Sequence, residues 1–198
     1  KSGFISDIGI EMYQKILDEA LFELKETEFK DLYKDEPEKD AVRDCQIETD
    51  MALLITDDYI TSITERLSLY KELDNIEEEE ELQRFRLRLI DRFGPVPPQT
   101  EELIETIRLR WLARKAGFEK ILLKNEKMTG YFISNQESPF YQSERFTKIL
   151  RFVQQNPGIC RMKESKDKLS LTFLQIDTVK KAIGVLKRML EGDLKVIL

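Results

Sequence analysis

The stretch "LIDRFGPVPPQTEEL" runs from Leu89 to Leu103. A charged amphipathic run stops at Gly94 and Pro95, and another begins after Pro97 and Pro98. Glycine suits the position just past a helix, where φ turns positive. Proline suits the first residue of the next helix, where its missing N–H costs nothing. The stretch therefore predicts an αα-hairpin, with helices over 77–93 and 98–116 and a turn set by Gly94, Pro95 and Pro98. Leu82, Phe85, Leu89 and Phe93 form the inward stripe of the first helix. The acidic run 77–81 sits at its N-terminus and Arg86, Arg88 and Arg92 in its later turns, as the helix dipole favours.

Upstream, residues 45–53 ("CQIETDMAL") alternate, with Cys45, Ile47, Thr49, Met51 and Leu53 on one side. This is the period of a half-buried strand. Thr56, Asp57 and Asp58 supply N-cap candidates for a helix over 59–74. Downstream the pattern changes. "GFEKILLKN" and "TGYFISN" read as strands about a turn at 126–129, and "ICRMKE" and "KLSLTFL" as a second such pair. Helices are expected over 143–156, capped by Ser143, and over 177–190. Hairpins segregated from helices indicate an α+β fold: antiparallel β-hairpins packed with a helical hairpin and further amphipathic helices.

Residues 10–24 carry a helical stripe (Ile10, Tyr13, Ile16, Leu17, Ala20, Leu21, Leu24). The next twenty residues lose it and are dense in charge. The expected division is a tail over 1–25, a charged linker over 26–44 and a main domain over 45–198. Without an initiator Met, the chain is expected to be a piece of a longer protein. Charge is asymmetric. Residues 1–80 hold 24 acids and 9 bases, and the rest hold 14 acids and 23 bases, which gives the net charge of -6.

These counts limit the chemistry. There is no His, so no Ser-His-Asp or Cys-His arrangement. Two distant cysteines without His make a zinc site untenable, and they read as small core residues of a reducing cytoplasm. The eight glycines are scattered, with no phosphate-cradling or dinucleotide spacing. No apolar run is long enough to span a membrane, and no signal peptide opens the chain. The residues thus describe a non-enzymatic module. Arg84, Arg88 and Arg92 are four apart and share a stripe, and Arg108, Arg110, Arg114 and Lys115 add charge to the next helix. Such a stripe is a solvated face, a protein contact or a hold on nucleic-acid phosphates.

Several stretches look familiar together. "SGFISDIGIEMYQKILDEALFEL" (2–24), "IETDMALLITDDYI" (47–60), "RLSLYKEL" (66–73) and "LIDRFGPVPPQTEELIETIRLRWLARKAGFEKI" (89–121) follow in order. Together they resemble the end of the translocase module and the C-terminal (TRCF) domain of bacterial transcription-repair coupling factors. The resemblance implies a family of ATP-driven translocases on double-stranded DNA that dislodge stalled RNA polymerase and recruit nucleotide excision repair. ATP and magnesium would belong to a motor whose motifs this chain lacks, so no cofactor is expected here. It further implies a regulatory domain that packs on an N-terminal UvrB-like module of the same chain, masking the surface that recruits UvrA and restraining the motor. The helix end carrying Asp91 and Arg92 would be the contact, with Arg84 and Arg88 beside it. Arg88 stands where the family commonly has an acid, and Thr56 and Thr61 where it often has Pro. The alternative is an accessory nucleic-acid-binding module using the basic 84–115 hairpin.

Overall fold

A computed structural model describes residues 40–191. The expected tail helix at 10–24, and the division at residue 25, lie outside them. Within them the elements run β1 (Gln46–Thr49), α1 (Ile63–Asp74), α2 (Glu79–Phe93), α3 (Pro98–Ala116), β2 (Phe118–Lys124), β3 (Lys127–Phe132), a 3-10 turn (Pro139–Gln142), α4 (Glu144–Gln155), β4 (Cys160–Ser165), β5 (Lys168–Leu174) and α5 (Val179–Glu191). The strands form one sheet in the order β1-β2-β3-β5-β4.

The fold is α+β, as the segregated pattern predicts. The sheet is mixed, however. Strands β2, β3, β5 and β4 pair antiparallel, but β1 lies parallel to β2, with Ile47 opposite Ile121. A parallel neighbour needs a long crossover, and here the crossover holds all three helices of the hairpin region. Strand β1 is also shorter than the alternation over 45–53 suggests. It ends at Thr49, whose hydroxyl accepts the Met51 N–H at 3.1 Å and turns the chain. Met51 and Leu53 still pack against the core from the loop. Helix α1 starts later than expected. Its cap is Ser62, whose hydroxyl accepts the Glu65 N–H at 3.2 Å, and not Thr56, Asp57 or Asp58. Those three lie in a turn in which the Thr56 carbonyl accepts the N–H groups of Tyr59 and Ile60. The turn between β2 and β3 falls at Asn125 and Glu126, both at positive φ, ahead of the expected 126–129.

Two apolar cores result. One lies between the sheet and helices α3, α4 and α5, around Phe118, Ile121, Leu123, Leu171, Phe173 and Leu186. Val42 belongs to it, so packing reaches a residue of the stretch expected as linker. The other lies among α1, α2 and α3, around Leu69, Leu73, Leu82, Phe85, Leu89 and Ile104. Helix α3 serves both. Ile104 and Ile107 face the hairpin core, and Leu109, Ala113 and Ala116 face the sheet core. At nineteen residues it is roughly 28 Å long, enough to reach from one core to the other. Gly117 closes it at φ 81° and turns directly into β2. A Cβ there would stand 2.4 Å from the Phe140 ring, so glycine is needed for space as well as for φ.

Candidate functional site

The hairpin end is built by local chemistry. Gly94 follows Phe93 at φ 85°, and its N–H returns to the Ile90 carbonyl at 2.9 Å. Pro97 stands before α3 and Pro98 is its first residue. A residue outside the hairpin then fixes the turn. The Tyr59 hydroxyl donates toward the carbonyls of Gly94, at 2.8 Å, and Leu89, at 3.1 Å, and its ring meets Phe93 edge-on. Nothing in the pattern around Tyr59 announces this, because its partners lie 30 and 35 residues away.

The familiar "RLSLYKEL" stretch does structural work. Arg66 donates to the Ile60 carbonyl at 2.6 Å, Leu69 and Leu73 enter the hairpin core, and the Tyr70 hydroxyl accepts the Ile55 N–H at 2.7 Å.

The charges follow. Helices α2 and α3 carry seven arginines: Arg84, Arg86, Arg88, Arg92, Arg108, Arg110 and Arg114. Six are held by carboxylates. Arg86 makes a two-pronged contact with Glu101 at 2.6–3.0 Å, tying α2 to α3. Arg108 does the same with Glu79 and also reaches Glu105 at 2.7 Å. Arg110 meets Asp74 at 2.8 Å and Arg114 meets Glu77 at 2.6 Å. Arg88 pairs with Glu72 and Arg92 with Glu65, joining α2 to α1. The acidic run at the start of α2 therefore answers arginines of α3 as well as its own helix dipole. Hydrogen bonds from Arg108 hold the Glu79 carboxyl below the usual carboxylate range.

Among the described residues, Arg84 and Asp91 have no such partner, and both are exposed. They stand on the outer side of α2, two turns apart. Between them Leu87 exposes 59% of its surface. All three line a shallow groove beside the end of α1, with Ile76 at its floor and Arg88 and Glu72 on its wall. The structure thus brings Arg84, Arg88 and Asp91 together on one groove. Arg92 is set slightly apart, against Glu65 and over the Phe93 ring at 4.8 Å. Leu87 was not among the residues expected at this surface. It is the exposed large apolar residue of α2, outside the inward stripe at 82, 85, 89 and 93.

Neither cysteine lines this groove. Both cysteines are buried, and burial pushes the Cys45 thiol up to about 12, so neither is a nucleophile at neutral pH. Among the described residues no group of three or more Cys, Asp and Glu side chains is arranged to hold a metal ion. No described helix is long and apolar enough to cross a membrane.

Fold and surface together define an α+β domain that displays its charge on a helical hairpin. The solved C-terminal domain of a transcription-repair coupling factor has this fold, with a TM-score of 0.57 at 18% identity, covering 76% of this chain and 97% of that one. The TRCF domain model matches residues 49–143. The transcription-repair-coupling factor of Escherichia coli (strain K12) is 35% identical over 64% of this chain and 10% of its own length. That of Haemophilus influenzae is 30% identical over 81% of this chain and 13% of its own length. That of Staphylococcus epidermidis is 29% identical over 87% and 15%. The chain belongs to the TRCF-domain family of transcription-repair coupling factors. It spans only about a tenth to a seventh of the length of these curated relatives.

Proposed function

We propose that this domain is a non-catalytic regulatory module of a cytoplasmic DNA translocase that couples transcription to nucleotide excision repair. It packs through the outer side of α2 on an N-terminal UvrB-like module of the same parent chain. In that pose it masks the surface that recruits UvrA and restrains a motor that uses ATP and magnesium elsewhere in the parent. RNA polymerase and double-stranded DNA are partners of the parent protein in this reading, and the domain itself needs no cofactor.

The observation that carries the reading is the groove of α2, where Asp91 and Arg84 stand unpaired among the described residues about an exposed Leu87. An apolar contact flanked by a base and an acid suits docking on a partner of complementary charge. Arg88 and Arg92 are held by single exposed pairs, worth about 0–1 kcal/mol each. They can change partners at little cost. That suits a latch, since coupling between two regulatory states is typically ~1–3 kcal/mol. The hairpin arginines supply little free charge for phosphates, because six of the seven already face carboxylates.

Calorimetric titration of the chain against the N-terminal module of its parent tests this. Saturable binding is expected, weakened at least about tenfold by the double reversal Asp91→Arg with Arg92→Asp. Equal binding by both forms would place the contact elsewhere. No binding by either, up to about millimolar concentration, would remove the reading.

A further inference from the structure

Among the described residues, no helix packs on one face of the sheet. Ile121, Leu123, Met128, Leu171 and Phe173 turn to the helices and are fully buried. The alternate residues stay half-buried or exposed, and they form registered rows across four strands. One row runs Lys120, Tyr131, Ser170, Lys163, and the next Leu122, Thr129, Thr172, Arg161. Lys124 and Lys127 face each other at one end, and Lys168 stands at the other.

The charges on this face are mostly of one sign, and they lie toward its two sides. Lys120 and Lys124 on β2 make one rim and Arg161 and Lys163 on β4 the other, while Lys127 on β3 and Lys168 on β5 stand just inside them at opposite ends. The acids at this face are Glu48, 3.1 Å from Lys120 and 4.0 Å from Lys124, and Asp50 just past β1, whose carboxylate accepts the Asn125 N–H at 3.1 Å. The floor between the rims is neutral. It holds Tyr131, Ser170 and the hydroxyls of Thr129 and Thr172, which bond each other at 3.0 Å. The remaining acids of this region, Glu126, Glu164 and Asp167, belong to turns or to the opposite side of β4.

We propose that this open sheet face binds the phosphate backbones of duplex DNA. Strands β2 and β4 are three strand spacings apart, so the cationic rims are roughly 14 Å apart. Two phosphate ridges border a major groove about 12 Å wide. An acidic peptide presents a single line of charge and would leave one rim unanswered. The rims would meet phosphates, which carry no sequence information, so the contact is independent of sequence. The proposal rests on the sheet and is separate from the groove on α2.

Anisotropy of a labelled mixed-sequence duplex, titrated with the chain at several salt concentrations, is the test. Saturable binding is expected at roughly micromolar protein in low salt, weakening steeply as salt rises. Arg161→Glu with Lys163→Glu should weaken it at least about tenfold and lower the salt slope by about two. Lys124→Gln with Lys127→Gln, at the other rim, should weaken it as well, and decides the matter if the first variant's thermal melt shows misfolding. Lys71→Glu on α1 with Lys115→Glu on α3, both in the hairpin region, should leave binding within about twofold. Absence of saturation at ~100 μM protein, or an equal loss in the hairpin variant, would overturn the proposal. Displacement by polyglutamate at matched charge would also overturn it, assigning the face to an acidic protein.

Discussion

Tyr59 shows how one hydroxyl can settle the position of a surface. The last carbonyls of a helix lack partners within the helix. Here a tyrosine from the preceding loop approaches the carbonyls of Leu89, in the last turns of α2, and of Gly94, just past its end, while its ring meets Phe93. Burial holds the phenol above its ordinary range, with Glu101 acting in the same direction, so it keeps its proton at neutral pH and remains a donor. Tyr59→Phe keeps the ring contact and removes the donor. The expected cost is about 1 kcal/mol of stability, measured by urea unfolding. Amide exchange in the last turn of α2 should accelerate more than in α3. An unchanged midpoint and unchanged exchange would show that the hydroxyl holds nothing. Neither the distance of these partners in sequence nor the composition around Tyr59 gave any sign of the role.

Among the elements, the helices were the most legible. The bounds of α3 follow directly from Pro98 and Gly117, because proline and glycine act through their own backbone geometry. The start of α1 was misplaced because Thr56, Asp57, Asp58 and Ser62 are all capable caps. What chose Ser62 was the burial of Ile60 and the partial burial of Tyr59, tertiary facts that no cap signal contains. The direction of β1 was equally hidden, since a two-residue alternation is the same for parallel and antiparallel pairing. The arginine stripe was visible, but its partners were not. Arg88 and Glu72 are 16 residues apart, Arg92 and Glu65 27, and Arg108 and Glu79 29. No helical spacing connects them. Helix-to-helix pairing also has a pH signature. Glu79 is held below the carboxylate range chiefly by the hydrogen bonds of Arg108. A carboxyl lowered in the folded state adds stability above its unfolded pKa and loses it as pH falls through the folded value. Glu79→Gln should therefore lower the melting temperature modestly at pH 7 and leave it nearly unchanged near pH 2. Thermal melts over that range measure this, and an equal shift at both ends would refute an electrostatic origin.

At the scale of the whole molecule, the two cores are joined by shared side-chain packing along α3. The join is reinforced at its far end, where Glu102 of α3 accepts the Val179 N–H at 2.9 Å and caps α5. Unfolding should accordingly be a single transition. Ile104→Ala, in the hairpin core, and Leu109→Ala, in the sheet core, should each cost ~2–5 kcal/mol. Each should shift the far-ultraviolet signal and the fluorescence of Trp111 together. Two separated transitions in either variant would show that the hairpin and the sheet fold independently.

Helix α3 also limits how such a domain can be altered. A helix that lends one side to a neighbour can be exchanged along with that neighbour. This one is owed to two neighbours, and the arc left over carries Arg108, Arg110 and Arg114, each already bridged. The segment between β1 and β2 looks like an insertion, but it cannot be lifted out as a cassette. A graft of the hairpin onto another scaffold would take Leu109, Ala113 and Ala116 with it and open the host's sheet. Variation in this architecture is therefore channelled to α1, to the outside of α2 and to the outward face of the sheet.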